Sequence, residues 1–154
     1  MSSRRPERFD AGNGVSVSFS FSEPASSRAV LVFGHGAGAN MDHANMVGAS
    51  EAFTNEGVVV LRFNFPFMEA GRRRVDSRAV SIATIGAATR LARLHYPELP
   101  LLLGGHSFGG RMASHAFLEQ DLSDVAALVF GSFPLHPAGK PSTDRAAHLE
   151  TIKR

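Results

Sequence analysis

Apolar residues in this chain fall into short runs separated by glycine, proline and charged stretches, and their period changes from run to run. In residues 15–21 they alternate: Val15, Val17, Phe19 and Phe21 are apolar, with small polar residues between them. A period of two predicts a half-buried strand, here at a sheet edge. Residues 29–33 (Ala-Val-Leu-Val-Phe), 58–63, 101–103 and 125–130 are continuously apolar or nearly so, as in strands covered on both faces. Between them the period lengthens. Residues 42–55 predict a helix, with Gly57 as its stop. Residues 78–95 carry the longest helical stripe, including Val80, Ile82, Ile85, Leu91 and Leu94, closed by Tyr96-Pro97. Another helix runs to about residue 120. Residues 64–76 and 131–141 read as loops, and the end of the chain as a short helical piece at most.

The order strand, strand, helix, strand, helix, strand, helix, strand predicts an α/β fold. Its sheet is mostly parallel, with helices on both faces and right-handed crossovers. At 154 residues the chain is expected to form one domain. No internal repeat is visible, and residues 1–12 read as a flexible lead.

The junction of one strand with the next helix changes the picture. Gly105-His106-Ser107-Phe108-Gly109 follows the apolar run 101–103 and opens a helical pattern. A G-x-S-x-G between strand and helix is the context of a nucleophile elbow, a strained turn that lifts the serine hydroxyl above the sheet. A Cβ at Gly105 or Gly109 would collide with neighbouring backbone. Ser107 is therefore the candidate nucleophile. An acyl-transfer nucleophile also needs donors for the developing oxyanion. The Phe108 N–H, at the start of the helix, is one candidate. The other is the Ala37 N–H, in the glycine-rich run Gly34-His35-Gly36-Ala37-Gly38 after the strand at 29–33. A turn of this composition can also simply link strand to helix. It lacks both the G-x-G-x-x-G spacing and a Gly-Lys-Ser/Thr ending, which argues against a nucleotide site.

The base is harder to place. In folds with this elbow the chain order is serine, acid, histidine. His115 lies two turns down the nucleophile's own helix and points away. His106 adjoins the serine, with its side chain expected to project elsewhere. His35 reads as orienting the oxyanion loop. His136 follows the strand at 125–130, on the elbow's edge of the sheet, and is the candidate base within reach. Asp144 and His148 lie in a terminal segment that the pattern does not place. Arg72-Arg73-Arg74 reads as a solvated loop in preference to an anion site. Phe63, Phe65 and Phe67 read as core.

Composition excludes several alternatives. The chain is 44% hydrophobic and 19% charged, with a net charge of only +2. Neither nucleic-acid nor membrane binding draws support from that balance. There is no cysteine, which removes disulfides, thiolate catalysis and cysteine-ligated zinc. No apolar run approaches the ~20 residues of a bilayer span, and the charged start is not a secretory signal. A cytoplasmic location is the expectation.

Five segments carry a family resemblance: Phe33-Gly-His-Gly-Ala-Gly-Ala-Asn40, Leu61-Arg-Phe-Asn-Phe-Pro-Phe67, Gly71-Arg-Arg-Arg74, Gly104-Gly-His-Ser-Phe-Gly-Gly-Arg-Met-Ala113 and Leu135-His-Pro-Ala-Gly-Lys-Pro141. Together they resemble the dienelactone-hydrolase-like branch of the α/β-hydrolases. Within it the chain is similar to the group of testis-expressed hydrolase-like proteins and a subunit of the NSL acetyltransferase complex. The resemblance implies Ser107 as nucleophile, Phe108 and Ala37 as oxyanion donors, and hydrolysis of a carboxylic ester or thioester without a cofactor. It also implies further strands whose loops carry the acid and the histidine, and no residue here matches either position. The expectation is thus a hydrolase domain incomplete at its C-terminus. The strand at 125–130 would then be an open edge, available for self-association. Two other readings stand beside this one: a non-catalytic hydrolase-like binding module, and a minimal Ser107–His136 dyad.

Overall fold

The computed structural model describes residues 7–152. Six strands form one sheet: β1 (Glu7–Asp10), β2 (Ser16–Ser22), β3 (Ala29–Gly34), β4 (Val58–Phe63), β5 (Leu101–His106) and β6 (Val125–Gly131), in the spatial order β1-β2-β4-β3-β5-β6. The four strands from β4 to β6 are parallel, whereas β1 and β2 pair antiparallel. The expected mostly parallel α/β sheet is therefore present.

Alternation along the central strands divides the core. Val30 and Val32 of β3 and Val59 and Leu61 of β4 face one layer, with Ile85, Ala88, Met112, Ala113 and Ala116. Those core residues come from α3 (Arg78–His95) and α4 (Phe108–Glu119). Leu31, Phe33, Val58 and Val60 face the other layer, where Met46 of α1 (Ala44–Asn55) packs. Strands buried on both faces leave no polar side to alternate, so they read as unbroken apolar runs. Local signals set the helix ends. The Ser77 hydroxyl accepts from the Val80 N–H at 3.2 Å and starts α3. Gly57, at φ +82°, turns the chain after α1 into β4.

Three features differ from the sequence reading. The strand at 15–21 is not an edge: β1 pairs along its outer side, through a turn in which the Ala11 N–H donates to the Val15 carbonyl. Of the lead expected to be flexible over residues 1–12, residues 1–6 lie outside the described residues, and Glu7–Asp10 form that strand. Its one large apolar residue, Phe9, packs edge-on against Phe19 and Phe63, too sparse a pattern to show a period. The loop at 64–76 also contains a single-turn helix, α2 (Pro66–Glu69), with proline at its start. The Asp76 carboxylate holds that turn by accepting from the Phe67 N–H at 2.9 Å.

β6 has no partner on its outer side among the described residues. Although its sequence is wholly apolar, Ala126 and Ala127 are exposed, and residues 128–131 are half-buried. A 3-10 helix (Asp144–Thr151) follows the loop after β6. Among the described residues no helix is long and apolar enough to cross a membrane.

Candidate active site

β5 ends at His106 and α4 begins at Phe108, leaving Ser107 alone to make the turn. Its backbone sits at φ 51°, ψ −115°. A residue with a Cβ is rarely held there, at a cost of about 1–3 kcal/mol, and such strain collects at functional sites. Flanking bonds impose it: the Ser107 N–H donates to the Gly131 carbonyl at 2.7 Å, and the Ser107 carbonyl accepts from Arg111 at 3.0 Å. The hydroxyl does not cap α4 and makes no hydrogen bond among the described residues.

Both flanking glycines are required by close approach. A Cβ on Gly105 would lie 2.6 Å from the Gly110 nitrogen and 2.7 Å from the Gly34 oxygen. One on Gly109 would lie 2.6 Å from the His35 oxygen and closer still to Gly34. The start of α4 therefore rests on the backbone at the end of β3. That packing brings the glycine-rich loop to the elbow: a Cβ on Gly36 would meet the Ser107 Cβ at 3.6 Å. Residues 36–39, His43, Asn45, Met46, His106 and Ser107 line a cleft of about 250 Å³. The N–H groups of Ala37 and Phe108 have no acceptor among the described residues. Two free amides beside a serine held above a sheet are suited to receive an oxyanion.

His35 is fully buried and bonded on both ring nitrogens. Nε2 lies 3.0 Å from the Phe65 nitrogen and Nδ1 2.7 Å from the Gly36 oxygen. An amide only donates and a carbonyl only accepts, so Nε2 is the acceptor and Nδ1 carries the proton. Burial pushes the imidazole pKa down to about 4, against smaller upward pulls from the Gly36 bond and the Asp76 charge. The ring is thus a neutral strut between the glycine loop and the chain after β4. It packs on Phe65 and Phe67, which meet the Phe108 ring edge-on. These aromatics are core: Phe63, Phe65 and Phe67 have no exposed surface.

The structure therefore brings Ser107, Ala37 and Phe108 together and leaves His136 elsewhere. That histidine is exposed on the loop after β6, its Nδ1 2.9 Å from the Pro137 oxygen, and it does not line the cleft. His115 stacks on His148 at 3.9 Å between ring centroids, and neither lines the cleft. Burial, and secondarily the neighbouring His148, push the pKa of His115 down to about 4. His148 Nε2 lies 2.6 Å from the Ser114 hydroxyl. His106 does share the cleft, against the expectation that it projects elsewhere, with its ring between Gly36 and Gly131. His43, Asn45 and Met46 were not read as site residues. They stand at the start of α1, where His43 Nδ1 accepts from the Asn45 N–H at 3.2 Å. Their place just after the glycine loop is the signal that could have found them. Arg72 pairs with Asp76 at 3.3 Å, and Arg73 and Arg74 are exposed. Among the described residues no three His, Cys, Asp or Glu side chains group as metal ligands.

A mostly parallel sheet, a strained serine between strand and helix, and a glycine loop against it make up the α/β-hydrolase arrangement. Residues 27–154 match the Alpha/beta hydrolase domain family, and the chain belongs to it. No curated protein matches the sequence. Among solved structures, an alpha-beta serine hydrolase homologue from Coxiella burnetii is similar at TM-score 0.74 and 19% identity, over 90% of this chain and 67% of that one. A thermostable carboxyl esterase from Bacillus coagulans is similar at 0.69 and 18%, over 82% of this chain and 43% of that one. A dienelactone hydrolase from Anabaena variabilis is similar at 0.67 and 18%, over 82% and 63%. At such identities the likeness is one of fold. The chain spans from 43% to 67% of the length of these proteins.

Proposed function

We propose that this domain is the nucleophile-bearing part of a serine hydrolase of the dienelactone-hydrolase-like branch, acting on a carboxylic ester or thioester. Ser107 attacks the carbonyl carbon and forms the acyl-enzyme, and the alcohol or thiol leaves. Ala37 and Phe108 hold the carbonyl oxygen as it gains charge, and water then releases the acid. The observation that carries the reading is the Ser107 backbone, strained at φ 51°, beside two free amides. The proton acceptor comes from outside the described residues, because no histidine here bonds the Ser107 hydroxyl and His136 is turned to its own loop. The same lack of a base favours a second reading, a hydrolase-like binding module that performs no chemistry.

One experiment separates them. The longest natural protein containing these residues is given a panel of short ester and thioester substrates, and a fluorophosphonate probe. Turnover and labelling that both vanish in Ser107→Ala support the hydrolase. A folded protein that neither turns over nor labels leaves the binding module.

A further inference from the structure

Arg62 does not fit the strand that carries it. The rest of β4 is Val58 to Leu61 and Phe63, all apolar and buried, and the Arg62 side chain is only 9% exposed. Its Nε is buried without a hydrogen-bond partner among the described residues. Burying a guanidinium with one donor unpaired costs stability, and an apolar residue of similar size would cost less. Stability alone therefore does not account for this residue.

What it holds does. Arg62 Nη1 donates to the Met41 carbonyl at 2.7 Å and to Asp42 Oδ1 at 3.1 Å. Two residues on, Asn64 Oδ1 accepts from the Met41 N–H at 2.9 Å. Asn64 Nδ2 points to Glu69 Oε1 at 3.4 Å, which sets the amide with its oxygen toward Met41. Both backbone polar groups of Met41 are thus taken by side chains from the end of β4. At the near end of the same loop, His35 ties Gly36 to the Phe65 N–H. The loop between these anchors carries the Ala37 N–H and is made mainly of glycine and alanine, which supply no packing of their own.

We propose that Arg62 and Asn64 are positioning residues for the oxyanion site: by gripping Met41 they hold the loop at 35–42 so that the Ala37 N–H stays aimed at the cleft. This rests on the reading of Ser107 as nucleophile and Ala37 as donor. The charge-assisted bond from Arg62 supplies stiffness at the loop's far end. Sites that must hold a donor within a fraction of an ångström rely on such supporting bonds.

The test uses the longest natural protein containing these residues, as wild type and as Arg62→Met, Arg62→Lys and Asn64→Ala. Three quantities are measured: kcat and KM on an ester found active, inhibition by a trifluoromethyl ketone that forms a tetrahedral adduct on serine, and amide hydrogen exchange over residues 36–42. Arg62→Met and Asn64→Ala are expected to lower kcat about 10- to 100-fold with KM nearly unchanged, short of the 10²–10³ lost with an outright donor. Ketone affinity should fall in parallel, and exchange at 36–42 should quicken. Arg62→Lys keeps one donor for the Met41 carbonyl and should recover much of the loss. A folded Arg62→Met protein with unchanged kcat and ketone affinity overturns the proposal, even if its melting temperature drops. So does an equal loss in Arg62→Lys and Arg62→Met. A wild type without Ser107-dependent turnover defeats the hydrolase reading instead. Exchange at 36–42 then decides the clamp alone: unchanged rates in both Arg62→Met and Asn64→Ala overturn it.

Discussion

The two loops that flank the elbow differ in how they are held. The loop at 35–42 is bonded at both ends by buried or half-buried side chains: His35 on one side, Arg62 and Asn64 on the other. The loop after β6 is mostly exposed, and among the described residues His136 bonds only its neighbour Pro137. The first is fixed before any ligand arrives, as the proposed oxyanion role of its Ala37 amide requires. The second brings no proton acceptor to Ser107. Under the proposed function, the first loop would serve the electrophile-binding half of an acyl-transfer site, and the base-bearing half has no counterpart among the described residues. Preorganised dipoles are usually the larger part of acyl-transfer catalysis, so the proposal stands or falls mainly with the first loop.

The comparison breaks first at the glycines. Gly109→Ala drives a Cβ into the backbone of Gly34 and His35, where no flexible side chain can yield. The expected loss is about 3 kcal/mol, as for severe overpacking, read as a lowered urea midpoint. Gly139→Ala, in the loop after β6, meets no atom within 4 Å and suffers only from its φ of +75°. It should cost about 1 kcal/mol. Equal costs at the two positions would mean that the elbow is no more tightly packed than the loop.

Acid sharpens the contrast. Unfolded, the His35 imidazole gains its proton near pH 6.5; folded, only near 4. Between those values the unfolded chain binds more protons. Stability is therefore complete above about pH 6.5 and falls as the pH drops toward 4, by up to about 3 kcal/mol. His115 is lowered in the same direction, but it is more exposed and contributes less. Denaturation followed at several pH values should show this slope, and His35→Gln should flatten most of it. A slope unchanged in that variant would remove His35 as its source.

Much of this was legible in the sequence because it rests on period and on glycine. The buried strands showed as unbroken apolar runs, and residues 78–95 gave the bounds of α3. Gly105 and Gly109 mark close backbone approach in the sequence itself, and the distances at both bear it out. β1 was missed because a four-residue edge strand with one large apolar side chain has no readable period. The contacts of Arg62 were illegible for a different reason. A charged residue in an apolar run is legible as an exception, but its partner Met41 is 21 positions away and offers only backbone atoms. Backbone acceptors leave no mark in a sequence. His106 was misplaced because the direction of its side chain depends on how Gly36 and Gly131 crowd the end of β5.

Ser107 offers a smaller effect of opposite sign. A glycine there removes the Cβ that makes φ 51° unfavourable, worth about 1–3 kcal/mol. It also adds about 0.5–1 kcal/mol of unfolded-chain entropy. Ser107→Gly should therefore be more stable than wild type by about 1 kcal/mol, while losing every reaction at that position. Ser107→Ala keeps its Cβ and should show no such gain. A gain confined to Ser107→Gly would place the backbone strain at the proposed nucleophile.

The smallest expected effect lies at His136. The residue is exposed, its one hydrogen bond among the described residues is to the next residue, and it does not line the cleft. His136→Ala should shift stability by less than about 0.5 kcal/mol, as at other exposed positions. It should also leave fluorophosphonate labelling of Ser107 unchanged within about twofold. A base contributes about 10²–10⁴ to such a step, so its removal could not hide within that margin. Loss of labelling in a folded His136→Ala protein would mean that the loop after β6 swings toward the elbow. The two flanking loops would then share one catalytic task, and the division between them would fall.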